Sequence, residues 1–308
     1  MNSPVLLLTF NRPDTTEQVI ESLRKVKPTQ IFVFSDGPRE GVESDPEKID
    51  STRQIISEAI DWPATVVTNF LPQNRGIVDG PPDAIDWFFS HVTEGIIIED
   101  DCVAHPDFFS YCDDLLDRYR DNERVWAVSG DNSWGLPISG AHSYGFISDP
   151  LIWGWATWKR AWSQHDRTMA TWKHTRTPRQ LRGLYPHRAE RKRRRYLFDT
   201  KPGISWDYQW TYTVNYHRGL VAVPRTNLVS NVGFNRDDAT HTKDNSPNAN
   251  APVGGLLPLT HPEVVAQDPL TQHDWVERAL GVRKRRLSYK VAKRFRQTIR
   301  LVNRLLGR

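Results

Sequence analysis

Cysteine is scarce: the chain of 308 residues has two, Cys102 and Cys112. That pair supports neither a disulfide framework nor a thiolate metal site, and reduced thiols in a cytosolic compartment are the default. No stretch approaches the ~20 uninterrupted apolar residues of a membrane span. The start, Met1-Asn2-Ser3-Pro4, lacks the basic region of a secretory signal and runs straight into strand-like sequence. The phosphate-cradling patterns GxGxxG and GxxxxGK[ST] are both missing, which argues against a dinucleotide or P-loop site. No GxSxG elbow occurs, so a hydrolase would have no recognisable nucleophile. No internal repeat is visible.

Acid is missing from one segment only. Residues 282–308 carry eleven Lys or Arg and no Asp or Glu. The whole chain has 41 basic and 37 acidic residues, a net charge of +4; without that segment 30 face 37, a body of −7. Basic character therefore belongs to the C-terminal segment, and specific nucleic-acid binding by the body is not indicated.

The richest stretch is Gly95-Ile96-Ile97-Ile98-Glu99-Asp100-Asp101, followed by Cys102 and a proline-started helix signal at Pro106-Asp107-Phe108-Phe109. A short apolar run reads as a buried strand. Three carboxylates at its tip repel one another unless a cation or a donor network sits among them. A hard divalent ion held by one or two carboxylates plus substrate phosphates answers that need. A solvated acidic turn is the alternative.

The first half alternates strand and helix signals. Strands are expected at 5–10, 31–34, 65–68 and 96–99, with helices after Asp14, around 46–60 and near 83–92, where Pro81-Pro82 delays the start. This order predicts an α/β fold with a mixed, mostly parallel sheet flanked by helices. Ligands of such sheets bind at the carboxyl ends of the strands. Asn11, Arg12, Asp36 and Glu99-Asp100-Asp101 all fall there. The second half is less regular. It holds a strand signal at 125–129, an aromatic run Trp153-Gly154-Trp155, a basic helix-compatible segment over 178–200, and Pro- and Asn-rich sequence that reads as an irregular linker. The predicted organisation is a catalytic body over 1–245, with a nucleotide-binding half (1–130) and an acceptor half (131–245), then a linker (246–281) and a basic helix (282–308).

Pro4 to Arg12, Ser35-Asp36-Gly37, and Glu99-Asp100-Asp101 with Pro106-Asp107-Phe108-Phe109 resemble the GT-A glycosyltransferases, a Rossmann-like nucleotide-diphospho-sugar transferase class. The likeness is to N-acetylglucosaminyltransferase I and its bacterial family-2-like relatives. Trp206-Asp207-Tyr208-Gln209-Trp210, Asn227 to Phe234 and Ala239-Thr240-His241-Thr242 extend it over about residues 3–243. The resemblance implies that Asp36 accepts a hydrogen bond from the base of a nucleotide, most often uracil. It implies that Phe10 and Arg12 line the nucleotide pocket and that Asp100 contacts ribose or metal-bound water. Asp101 would bind Mn²⁺ or Mg²⁺, and His241 would complete metal or diphosphate binding. The basic residue that the relatives place toward the donor is Val78 here, and Arg75 stands nearby as its substitute.

Glycosyl transfer needs a base on the acceptor side of the sugar. Asp207, between Trp206 and Trp210, is the candidate, because apolar flanks favour the neutral carboxyl and raise its basicity. A helix N-cap role, with Ser205 competing for it, is the alternative. Trp153, Trp155 and Trp206 are candidate acceptor platforms, since indole faces stack on sugars; core packing is the other reading. Gly154 would permit close approach of a sugar. Arg188 to Arg195 reads as a solvated basic face or a contact for an acidic acceptor or lipid diphosphate. Leu287, Val291, Phe295, Ile299, Val302 and Leu306 mark a basic amphipathic helix suited to an anionic membrane surface, each cation there being worth ~1 kcal/mol. Docking on the acidic body is the alternative.

Together these features predict a cytoplasmic, inverting, metal-dependent glycosyltransferase, peripheral on the inner membrane surface. It would use a UDP-linked sugar and a glycan or lipid-linked hydroxyl acceptor. A sugar nucleotidyltransferase is the first rival, though it would want a Gly-rich basic loop where Asn11-Arg12-Pro13 stands. A non-catalytic carbohydrate- or nucleic-acid-binding protein on the same body is the second.

Overall fold

The computed structural model describes residues 1–234, 236, 246, 248–278, 280 and 281. His241 and the basic segment 282–308 lie outside the described residues, as do the roles expected of them.

The first half alternates as its apolar pattern predicts: β1 (Val5–Thr9), α1 (Pro13–Arg24), β2 (Gln30–Ser35), α2 (Asp45–Ala59), β3 (Thr65–Phe70), α3 (Gly76–His91), β4 (Glu94–Glu99), β5 (Cys102–Ala104), α4 (Pro106–Arg118) and β6 (Val125–Ser129). The second half adds β7 (Tyr144–Ile147), β8 (Trp155–Trp158), α5 (Lys159–Trp162), α6 (Trp172–Thr175), α7 (Pro178–Leu184), α8 (Arg188–Thr200), α9 (Asp207–Tyr216), β9 (Leu220–Pro224), β10 (Val229–Asn231) and α10 (Pro269–Arg278). Eight strands form one sheet in the order β3-β2-β1-β4-β8-β6-β9-β7, and β10 pairs antiparallel with β5 beside it. The β3-β2-β1-β4 block is wholly parallel; β8 enters antiparallel between β4 and β6, and β7 closes the edge antiparallel to β9.

Alternation along the buried strands sorts the core into two layers. Val5 and Leu7 of β1, with Ile96 and Ile98 of β4, meet α1, α2 and α4 on one face. Leu6, Leu8 and Ile97 meet α3 and the tryptophans of α9 on the other. A smaller cluster, including Trp172, Leu181, Leu197, Phe198 and Tyr212, welds α6 to α9 into a helical cap. Arg194 anchors α8 from inside: its guanidinium pairs with Asp149 at 2.5 Å, and both side chains are buried.

Four sequence expectations change. The helix expected near 83 begins at Gly76, with Pro81 and Pro82 inside it, because Asp36 binds the backbone at its start. The basic segment 178–200 is two helices, α7 and α8. The segment 246–281 is not simply an irregular linker. It contains α10, and on the way Leu256 and Leu257 N–H groups donate to Asp107 while Thr260 N–H donates to the Ser143 hydroxyl. Finally, the close approach at Gly154 is internal. Its backbone has φ +62°, and an added Cβ would meet Val229 and Phe108, so the glycine serves packing rather than a sugar.

Candidate functional site

The register places Thr9 beside Ser35 and Leu8 beside Glu99, so the carboxyl ends of β1, β2 and β4 open together. A cavity of about 230 Å³ lies there, lined by Phe10, Arg12, Asp36, Arg39, Glu99 and Asp100 among others. Phe10, Arg12, Asp36, Glu99 and Asp100 thus meet at one edge of the sheet, as their order along the strands predicts.

The acidic triplet is held by a donor network. Phe10 N–H donates to Asp100 Oδ2 at 2.9 Å. Arg12 Nη1 lies 2.8 Å from Asp101 Oδ2 and 3.8 Å from Asp100 Oδ1. Asn231 Nδ2 donates to Asp101 Oδ1 at 3.3 Å, and Val232 N–H donates to the Asp101 carbonyl at 2.8 Å. Gly233 lies so close that a Cβ there would strike the Asp101 carboxylate. Among the described residues Arg12 lies beside three neighbouring carboxylates, whose burial and mutual repulsion disfavour ionisation. Loss of water, then the charges of Asp101, Asp100 and Asp207, push Glu99 up to about 8, with Arg12 opposing. Desolvation likewise raises Asp101 against the pull of Arg12.

This set fits a hard divalent ion. The donors are oxygens, and such an ion takes most of its shell from phosphates and water. Among the described residues no group of three or more His, Cys, Asp or Glu forms a metal cluster by itself.

Asp36 lines the cavity as expected, but its role differs. Oδ1 accepts from the N–H groups of Gly37 and Arg75, both at 2.8 Å; Oδ2 accepts from Gly76 N–H at 3.0 Å and Asn74 Nδ2 at 3.1 Å. A carboxylate has about four lone-pair sites, and all are used. Asp36 therefore builds the pocket wall and satisfies the open N–H groups at the start of α3; it presents no vacant acceptor to a base. Arg75 also departs from expectation. Its side chain is 53 % exposed and pairs with Asp83 at 2.9 Å, so only its backbone serves the site. Sequence reasoning gave no role to Arg39, which grips the buried Asp45 through two bonds of 2.7 and 2.8 Å while stacking over Phe10. Asn11 donates to the same Asp45 at 2.8 Å.

Asp207 opens α9, whose N-cap position is Trp206 with no side-chain capping bond, so neither Asp207 nor Ser205 caps the helix. It is half-buried, and its charge bears on Glu99. Two of the three acceptor platforms are corrected. Trp155 and Trp206 are each 1 % exposed and stack on one another with centroids 6.1 Å apart, deep in the aromatic layer under α9. Burial of two indoles contributes more than a rim position would, which is why the core claims them. Trp153 is half-buried, edge-on to Phe234 at 5.5 Å.

No family model matches this sequence, and no curated protein does. Solved structures do share its layout. UDP-glucose pyrophosphorylase complexed with UDP-glucose aligns with 73 % of this chain and 90 % of its own, at 8 % identity and TM-score 0.38. The 4-diphosphocytidyl-2C-methyl-D-erythritol synthase of Anaerococcus prevotii aligns over 55 % and 77 %, at 10 % identity and TM-score 0.34. HddC of Yersinia pseudotuberculosis aligns over 51 % and 77 %, at 10 % identity and TM-score 0.30. Likeness at this level carries no statement about reaction. Among the described residues, no helix is long and apolar enough to cross a membrane.

Proposed function

We propose that the protein is a transferase acting on a nucleotide sugar, and that it moves the sugar to a hydroxyl acceptor with inversion. One observation carries the reading: Asp207, at the start of α9, bears electrostatically on Glu99 at the tip of β4. A donor seated between them would have its diphosphate at the triplet and its sugar toward Asp207. Phe10 and Arg39 would flank the nucleoside, with UDP as the expected nucleotide.

Asp101, with Asp100, would hold Mn²⁺ or Mg²⁺, which when bound neutralises charge developing on the leaving diphosphate. Arg12 supplies a fixed positive charge beside the same carboxylates and orients Asp101. Asp207 takes the proton from the acceptor hydroxyl as the new glycosidic bond forms. Glu99, held neutral at pH 7 by its raised pKa, limits repulsion at the strand tip. Trp153 remains the one proposed acceptor platform of the original three. A cytoplasmic setting and a glycan or lipid-linked acceptor belong to the same proposal.

A second reading keeps the nucleotide sugar and changes the bond that breaks. Arg12 and Arg39 line the cavity, and cations at the first strand end are what a nucleoside triphosphate requires. Nucleotidyl transfer onto a sugar phosphate would release inorganic diphosphate, whereas glycosyl transfer releases a nucleoside diphosphate.

The test pairs a panel of nucleotide sugars with hydroxyl acceptors, and a panel of nucleoside triphosphates with sugar phosphates, each with and without Mn²⁺, read by thermal stabilisation and by the released product. Nucleoside diphosphate release supports glycosyl transfer, diphosphate release supports the second reading, and no stabilisation by any nucleotide sinks both. Asp207→Asn should keep donor stabilisation and lower kcat by roughly 10²- to 10⁴-fold. Normal turnover in that variant removes Asp207 as the base.

A further inference from the structure

Between α7 and α8 lies an open groove of about 530 Å³, lined by Pro178, Leu181, Arg182, Arg188, Arg191, Lys192 and Arg195. The transfer reading assigns it nothing. Its charge is built by helix geometry. Glu190, Arg194, Leu197 and Phe198 form the buried face of α8, and the Arg194–Asp149 pair locks that face inward. Arg188, Arg191, Lys192 and Arg195 recur at the i, i+3, i+4, i+7 spacing of a single helical stripe, which the lock turns toward α7. Arg191 is itself fixed, donating to the carbonyls of Tyr185 and Pro186. Across residues 173–199 ten Lys or Arg stand against two acids, the buried Glu190 and Asp199, which pairs with Arg176 and Arg195. Such a surplus of positive charge attracts an anion.

We infer that this groove binds a compact phosphate or diphosphate group. Guanidinium forks match phosphate oxygens in charge and bidentate geometry. The volume falls within the ~300–1,000 Å³ of small-ligand sites. Leu181 and Pro178 give the groove an apolar side, along which a chain attached to the phosphate could run. Nucleic acid is the poorer fit. The stripe spans about 10 Å at 1.5 Å per residue, room for roughly three phosphates of one strand. The groove also belongs to the proposed acceptor side: α8 packs on α9, which Asp207 opens, and Arg193 of α8 bears electrostatically on Tyr208. If the glycosyl-transfer reading holds, the acceptor is a phosphorylated compound docked here. That clause rests on the reading; the binding does not.

The experiment is isothermal titration of the full chain with inorganic diphosphate at low salt, comparing wild type with Arg188→Glu/Lys192→Glu. A site should weaken about tenfold or more in the double variant, while its melting temperature and its stabilisation by nucleotide sugars stay as in wild type. Arg188→Lys, which keeps the charge and loses the fork, should fall between. Equal titrations in all three proteins would overturn the proposal. Vesicles separate the sources of the phosphate. Retention by phosphatidylcholine vesicles doped with a polyprenyl diphosphate, lost in the double variant, identifies a lipid-linked ligand. Titration without retention identifies a soluble one. An equal difference between wild type and double variant on phosphatidylglycerol vesicles, which lack a phosphomonoester and would hold residues 282–308 of both proteins alike, would mean adsorption of the groove to any anionic surface and would also overturn it. Loss of nucleotide-sugar stabilisation with the diphosphate site intact would sink the transfer reading alone.

Discussion

Glu99→Gln isolates the electrostatic strain at the strand tip. Glu99 stands at about 8 in the folded protein against an ordinary 4.5. A folded-state pKa raised this way means that the native state holds a proton which the unfolded chain has released. Stability from this group is therefore complete below pH 4.5 and is lost as pH rises toward 8. The full difference of 3.5 units corresponds to about 5 kcal/mol at 1.36 kcal/mol per unit. Glu99 opens onto the cavity, whose water screens it, so about half, 2–3 kcal/mol, is the expected change. Gln is nearly isosteric and cannot ionise. Urea denaturation at pH 5 should find wild type and variant alike. At pH 8.5 the variant should be more stable by those 2–3 kcal/mol, a large share of the 5–15 kcal/mol typical of a folded protein. Divalent ion bound at Asp101 should narrow the gap by relieving the same repulsion. An identical pH slope in the two proteins would refute the burial of negative charge at this tip, and with it the argument that the triplet needs a cation.

Three further outcomes follow from the same coordinates. Gly233→Ala would drive a methyl group into the Asp101 carboxylate; a loss of about 1–3 kcal/mol is expected on urea denaturation, and unchanged stability would mean that the clamp is slack. Arg39→Ala leaves Asp45, 0 % exposed, with Asn11 as its remaining side-chain partner, at a cost of about 2 kcal/mol at pH 7. Asp45 is lowered to about 2, chiefly by Arg39, so its contribution is present above pH 3.8 and fades toward pH 2; the variant should show a shallower acid limb over that window. Arg194→Met strands Asp149 in the interior and should cost about 3–5 kcal/mol, while Arg194→Met/Asp149→Leu should recover at least half; equal losses in both would show that the pair contributes through shape rather than charge.

The parts of this molecule legible in its sequence are those whose signal is local. Val5 to Thr9 and Gly95 to Glu99 read as buried strands because two helical layers demand apolar side chains on both faces. Asp36 and the acidic triplet read as site residues because a strand must end where its polar residues begin. What escaped is set by partners distant in sequence. The start of α3 could not be read from Pro81-Pro82, since the carboxylate that organises it sits 40 positions upstream at Asp36. Trp155 and Trp206 looked alike as sugar platforms and as core. Only the antiparallel entry of β8 between β4 and β6 puts Trp155 inside, against α9.

The donor network shows why residue type and residue role come apart here. Asp36, Asp100 and Asp101 are the same side chain at the same edge of one sheet, yet each is committed differently. Asp36 spends its lone pairs on backbone N–H groups and becomes scaffold. Asp100 accepts from Phe10 N–H and lines the cavity. Asp101 is gripped by Arg12 and Asn231 from opposite halves of the chain, so it can be oriented only after β10 has paired with β5. The second half thus does more than carry the acceptor side. By delivering Asn231 and Gly233 to Asp101, it completes the half that would bind the nucleotide. A fragment ending near residue 130 would lose the Asn231 bond that helps fix Asp101.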